Sequence, residues 1–367
     1  LGFLGLIIGA IFAGLVYVVI AIFVKIFGVN WIEKLMPAVV IGPTVAIIGL
    51  SLSTNAIGDL VKSKNSEAST YLCIICGLVT LFATIIASTY GKKMVKLIPF
   101  IIGISTGYVL TLIFTIIGKV ADVNELVIID FKPFANLLTD GKVTFETFLS
   151  LPDFTFVKAV KGFKDIDFNY VITIFVAYAP VAFVVFAEHI ADHKNISSII
   201  EKDLLVEPGL DKTLLGDGVG SIVGAIFGGC PNTTYGESIG CVAITRNASV
   251  LTIIAASILA IIVSFISPII ALIDSIPNCI MGGVCIALYG FIAVSGLKMI
   301  QNVDLGEEKN LFVVSSILVV GIGGLTISFG KVMITEIACA LIIGILVNII
   351  LKNKKKEEPV EDNNTNE

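Results

Sequence analysis

Long apolar runs alternating with short polar ones set the plan of this chain. A helix crosses a bilayer with about 20 apolar residues. Runs near that length recur at 3–27, 36–54, 70–90, 96–118, 170–190, 214–229, 248–273, 279–299, 311–329 and 332–351. Between the sixth and seventh lies 231–246, too short and too polar for an ordinary span. It holds Pro231, Asn232, Thr233, Thr234, Gly236, Glu237 and Gly240. Irregular backbone at membrane depth persists only where it is buried in protein or lines a cavity. The pattern therefore predicts an all-α polytopic membrane protein of about eleven membrane segments, one of them broken at 231–246.

Two stretches depart from it. Residues 119–168 carry Lys119, Asp122, Lys132, Lys142, Lys158 and Lys164 among scattered aromatics, which predicts an extramembrane loop with short helices. The tail, 352–367, is charged and predicted to be disordered.

Composition agrees. The chain is 56% hydrophobic and only 14% charged, with a mean hydropathy of +1.00; a soluble domain carries about a quarter charged residues. The net charge of −5 says little about partners, because the charges sit in loops and tail; no nucleic-acid partner is expected. Cys73, Cys76, Cys230, Cys241, Cys279, Cys285 and Cys339 all lie in or beside apolar runs. Cys73 and Cys76 have the spacing of a thiol–disulfide motif, yet they stand inside an apolar helix and read as small packing residues. Residues 2–28 are too long an apolar run, with no basic start, for a cleavable signal peptide.

Orientation follows the basic residues of short loops. Lys352, Lys354, Lys355 and Lys356 place the C-terminus in the cytoplasm. Lys298 and Lys309, Arg246, Lys194, Lys202 and Lys212, and Lys92, Lys93 and Lys96 fall on that same side, whereas Lys62, Lys64 and Lys331 fit poorly.

An internal echo adds a symmetry. Met36-Pro37 through Gly42-Pro43 resembles Ile276-Pro277 through Gly282-Gly283, with Pro277 following Pro37 and Gly282 following Gly42 at one interval of 240 residues. The two spans run in opposite directions by the charge rule, the mark of an inverted repeat. Counterparts of 170–190, 214–229 and 231–246 would fall before or at Leu1. The sequence is thus expected to lack about three membrane elements of its first repeat.

Carboxylates at membrane depth are costly unless paired, hydrated or protonated, and are functional candidates by default. Glu188 and Glu237 are the two such acids that stand out. Around Glu188 the order Glu188-His189-Ile190-Ala191-Asp192-His193 puts Glu188 and Asp192 on one helical face and His189 and His193 on its neighbour. One reading has Glu188 binding a neutral polar ligand while Asp192 exchanges a proton. A second takes the histidine pair as metal ligands. A third leaves the histidines hydrated at a helix end that exits the membrane near residue 190. Near Glu237, Pro231 and Gly236 free backbone groups, and Tyr235, Gly236 and Glu237 would offer an aromatic edge, backbone donors and a carboxylate. A planar heterocycle with alternating N–H and C=O groups suits that set. Asp217 either orients the Glu188 helix or caps its own helix. Glu336 reads as structural or interfacial.

Several motifs carry a family resemblance. They are Phe186-Ala187-Glu188-His189, Lys202-Asp203-Leu204-Leu205, Glu207-Pro208-Gly209-Leu210, Pro231 to Gly240, and Ala243-Ile244-Thr245-Arg246. Pro277, Met281-Gly282-Gly283, Leu288-Tyr289-Gly290 and Ser295-Gly296 continue the likeness. Together they resemble the uracil-permease branch of the nucleobase–ascorbate transporter family, over essentially the whole chain.

The resemblance implies fourteen segments in two inverted repeats (7+7), arranged as core and gate domains. Residues 1–118 would then be segments four to seven of the first repeat, 119–168 the loop, 169–351 the second repeat with the substrate site, and 352–367 the tail. It further implies that Glu188 and Glu237 hydrogen-bond a nucleobase beside Tyr235 and the Gly236 backbone. Import would be proton-coupled, through Glu188, Asp192, His189 and Asp217. The proton is then the coupling ion, with no cofactor, no metal and no enzymatic step. The partners implied are uracil or a related base, the lipid of the cell membrane and a second copy in a homodimer. Where uracil carriers have His, this chain has Asp192. Purine-carrying relatives have Asp there and at Asp217, but Gln in place of Glu237, so a xanthine-like purine is the alternative substrate. Rival classes are an intramembrane metal-dependent hydrolase built on His189, His193 and Asp192, and an anion transporter of the same architecture.

Overall fold

Proline and glycine punctuate the apolar runs into the helices of this fold. The computed structural model describes residues 2–351 except 139–140, 152–153, 231, 236–237, 240–241, 243–245, 302 and 330–331. In chain order the principal helices begin with α1 (Gly2–Phe27), α2 (Ala38–Ser51), α3 (Ser53–Leu60), α4 (Thr70–Tyr90) and α5 (Pro99–Ala121). They continue with α6 (Phe168–Ile200), α7 (Leu210–Ile226), α8 (Val250–Val263), α9 (Ser267–Ser275), α10 (Asn278–Ile300), α11 (Glu308–Ile322) and α12 (Glu336–Ile350). Among the described residues, five apolar helical stretches are long enough to cross a membrane: α1, α2–α3 together, α4, α5 and α10. This is a polytopic membrane protein. Between α5 and α6 the described residues include short helical turns, such as Lys132–Ala135 and Thr155–Ala159.

Several expected spans differ from the structure. The run 170–190 does not end near 190. It continues as one 33-residue helix to Ile200, started by Asp167, whose carboxylate accepts from the Tyr170 amide at 2.7 Å. The run 248–273 divides into α8 and α9, because Pro268 in the first turn of α9 begins a new helix. The run 311–329 is helical only to Ile322, so the chain is not purely α. Gly324 follows with φ +71°, a conformation glycine adopts freely. A two-stranded antiparallel hairpin comes next, β1 (Ile327–Phe329) against β2 (Val332–Ile334), with Ile327 opposite Ile334. Glu336, in the first turn of α12, places its carboxylate at the positive end of that helix.

Packing has two centres. The larger joins α1, α2, α6, α7, α11 and α12 through residues such as Ile41, Phe186, Leu214 and Ile317. The smaller joins α4, α5 and α10 around Cys73, Cys76, Cys279 and Ile280. Those cysteines are free thiols that fill space.

Helix α10 lies along α2 and α3 as well as α4. Pro37 and Pro277 occupy the same place, each an extended residue immediately before its helix. A Cβ on Gly42 would stand 2.7 Å from Ile300 and 3.0 Å from the Gly296 carbonyl; one on Gly282 would stand 2.4 Å from the Leu60 amide and 2.7 Å from the Ala56 carbonyl. At the interval of 240 residues, Gly296 corresponds to Ala56 and Ile300 to Leu60. The partners are therefore exchanged between the two halves of the contact. Gly49 meets its own counterpart, Tyr289, a Cβ there lying 2.3 Å from the Tyr289 carbonyl. Such exchange is the contact pattern of a local two-fold relation.

Alanine at Gly282 should test this close approach. Elsewhere in a helix the change gains up to about 1 kcal/mol, but a methyl forced against the Leu60 backbone should cost about 2 kcal/mol. Gly290→Ala, where nothing lies within 4 Å, should be neutral or stabilising. Thermal unfolding in detergent separates the two.

Candidate functional site

Glycine on two helices brings α1 and α7 together at backbone distance. A Cβ on Gly14 would lie 2.6 Å from the Gly218 carbonyl, and one on Gly218 would lie 2.8 Å from the Gly14 carbonyl. Small residues at membrane helix crossings permit this approach. Asp217 is thereby placed beside α6. Its Oδ2 is 2.7 Å from His189 Nδ1, and His189 Nε2 is 3.1 Å from Thr213 Oγ1, one turn before Asp217. Asp217 lies well inside α7, so of its two expected roles it takes that of orienting the Glu188 helix and caps nothing.

The Thr213 hydroxyl is also 3.1 Å from the Leu210 carbonyl, to which it can donate. The two ring nitrogens of His189 thus meet a carboxylate on one side and a hydroxyl on the other, and the tautomer sets which of them donates. His189 is only 1% exposed, and an uncompensated charge there would be costly.

His193 does not sit in a hydrated loop. It is half-buried within α6, its ring stacked on His189 at a centroid distance of 4.2 Å, and its Nδ1 donates to the His189 carbonyl at 3.1 Å. Among the described residues no three His, Cys, Asp or Glu side chains converge as metal ligands.

A second component comes from the predicted break. Asn232–Tyr235 have no regular secondary structure. Ser221 on α7 clasps this segment, accepting from the Asn232 amide at 2.8 Å and donating to its carbonyl at 3.4 Å. Gly220 leaves room for it: a Cβ there would lie 3.0 Å from Asn232 Nδ2. The segment then delivers two hydroxyls to α6. Thr234 Oγ1 donates to Asp192 Oδ2 at 2.5 Å, and Thr233 Oγ1 to Glu188 Oε2 at 3.4 Å. Asp192 is 8% exposed and Glu188 half-buried.

Glu188, His189, Asp192 and Asp217 therefore meet in one polar cluster. Tyr235 lies on the segment that joins it, with its side chain 64% exposed. Gly236 and Glu237 fall outside the described residues. Sequence reasoning missed Thr213, Ser221, Thr233 and Thr234 as site groups. Thr213 had a readable signal, standing four residues before Asp217 on the same helical face. Ser221, four residues after Asp217, had the same signal, whereas Thr233 and Thr234 had none, since only their neighbours in space give them a task. Chemically, the cluster offers carboxylate acceptors for N–H donors and a histidine–carboxylate pair that holds a proton.

The decisive comparison is with family models. One described as a permease family, that of the xanthine and uracil permeases, matches residues 5–329. The chain belongs to the xanthine–uracil permease family. This permease is a transporter and not an enzyme, which excludes the hydrolase. It is 38% identical to the uracil permease of Bacillus caldolyticus over 95% of this chain and 75% of the relative. To the uracil permease of Bacillus subtilis it is 35% identical, over 96% and 76%. To that of Escherichia coli K12 it is 32% identical, over 94% and 73%. The chain thus spans about three quarters of these relatives' length.

Removing either partner of His189 should destabilise the permease. Asp217→Leu should cost about 2 kcal/mol, because the buried imidazole loses its charged partner. Thr213→Val should cost about 1 kcal/mol through loss of a neutral hydrogen-bond partner. Both are read as lowered thermal midpoints.

Proposed function

We propose that this permease imports uracil together with protons, by alternating access. One observation carries the reading: Glu188 and Asp192, a helical turn apart, are both tied to hydroxyls of the extended segment Thr233–Thr234. That segment leads directly to Tyr235, Gly236 and Glu237 in sequence. A carboxylate from α6 and, in the family pattern, a second from Glu237 would accept hydrogen bonds from the ring N–H groups of the base. The Gly236 backbone and Tyr235 would lie beside it. The relatives named as uracil permeases support this substrate. Asp192, in the place where uracil carriers have His, favours a xanthine-like purine as the second reading.

Coupling follows from the cost of charge in lipid. A loaded site that moves through low dielectric does so more cheaply when its carboxylates are neutralised. The His189–Asp217 pair supplies one exchangeable proton, and Asp192 and Glu188 are the carboxylates nearest the ligand. The inverted-repeat core and gate arrangement of about eleven segments is supported by the exchanged contacts of Gly42 and Gly282. In that arrangement α2, α3, α4, α10 and α11 form the gate. A homodimer in the cell membrane with a cytoplasmic C-terminus completes the reading.

Labelled uracil uptake under an inward proton gradient tests it, with xanthine as competitor. Glu188→Gln and Glu237→Gln should each lower uptake about tenfold or more while the protein still inserts, since each loses a charge-assisted hydrogen bond. Unchanged uptake after Glu237→Gln removes that residue from the pocket. Xanthine outcompeting uracil transfers the assignment to purines.

A further inference from the structure

We infer that Tyr17 is a positioning residue of the transport site. Its hydroxyl is the hydrogen-bond donor to Asp217 when the His189–Asp217 pair has released its proton. The inference deepens the proton-coupled reading above and rests on it.

Tyr17 stands midway along α1 and is only 4% exposed, yet its hydroxyl has no hydrogen-bond partner among the described residues. A buried hydroxyl left unpaired is unfavourable, and phenylalanine would fill the same space without that loss. Position suggests the use. Tyr17 packs against the crossing of α1 with α7, where a Cβ on Gly218 would lie 3.1 Å from Tyr17 Cβ; Asp217 is the adjacent residue. The Tyr17 ring presents an edge to His189, with centroids 6.0 Å apart and planes at 73°. The titratable groups facing it are Asp217 from α7 and Glu188 and His189 from α6, with His193 stacked on His189. Lys25, the one charged side chain of α1, is exposed two turns farther on, and Lys158 meets α1 at Phe3 near the opposite end.

Hydrogen-bond logic supplies the rest. While the pair holds its proton, Asp217 Oδ2 accepts from His189 Nδ1–H. In the proton-free form proposed here the remaining imidazole hydrogen sits on Nε2 and donates to Thr213 Oγ1, 3.1 Å away. Two lone pairs, on Nδ1 and Oδ2, then face each other at 2.7 Å. The carboxylate has lost its donor, and Tyr17 carries an uncommitted one beside it. Tyr17 turns its hydroxyl toward Asp217 and transfers no proton itself. It stabilises the proton-free form and so eases release.

The test is Tyr17→Phe in the intact permease, reconstituted in liposomes. Uracil uptake is followed against external pH under a proton gradient, and uracil counterflow without one. The loaded form keeps its own bonds, so counterflow should stay within about twofold of wild type. Loss of a donor to the proton-free carboxylate raises the pair's proton affinity. Net uptake should drop about tenfold, and its decline toward alkaline pH should move up by about one unit. The thermal midpoint should be unchanged or raised, which a purely structural role does not predict. Wild-type uptake and pH profile in Tyr17→Phe would overturn the inference. So would equal loss of counterflow and uptake in folded protein, which assigns Tyr17 to binding. Wild-type net uptake indifferent to the gradient would instead overturn proton coupling, and the Tyr17 role with it.

Discussion

A histidine and an aspartate held 2.7 Å apart, deep between three helices, govern much of this structure. In a low-dielectric interior such a pair is stabilising only with good geometry and with its remaining hydrogen-bonding groups satisfied. That requirement reaches outward. Asp217 meets His189 because α7 lies against α1, and α7 lies there because Gly14 and Gly218 allow the two backbones to touch. Thr213 holds the far nitrogen in register. Bulk at either glycine would separate the partners, so packing and polar chemistry are one constraint here.

The same helix carries both halves of the site. Glu188 and Asp192 face the extended Asn232–Tyr235 segment, while His189 and His193 face α7 and α1. Continuity of α6 through Ile200 makes this division possible, since a helix ending near 190 would have left Asp192 and His193 in solvent. The extended segment is pinned through Ser221 on α7, so its threonines reach α6 at a fixed height. Helix α7 thus supports the carboxylate face through Ser221 and the histidine face through Asp217.

Away from the site, α2, α3 and α10 approach one another closely at glycines. Gly49 and Gly282 set backbone against backbone, Gly42 admits the Ile300 side chain, and the exchanged partners at an interval of 240 residues make the contact self-complementary.

Hydrophobic periodicity alone determined that this is a multi-pass membrane protein, where most helices lie and that the region after Gly229 is irregular, because lipid tolerates few backbone solutions. The acids at membrane depth were equally legible, Glu188, Asp192 and Asp217 being conspicuous against an apolar background. Helix ends were less so: the hairpin after Ile322 and the length of α6 depend on glycine conformation and on neighbours that cover polar residues. Only the tertiary structure decided which acid serves which partner. Spacing along one chain cannot say that Asp217 meets His189, that Thr233 and Thr234 reach α6, or that an apolar-looking tyrosine on α1 stands beside them. Those pairings are set by close helix crossings between segments distant in sequence, which local pattern does not encode.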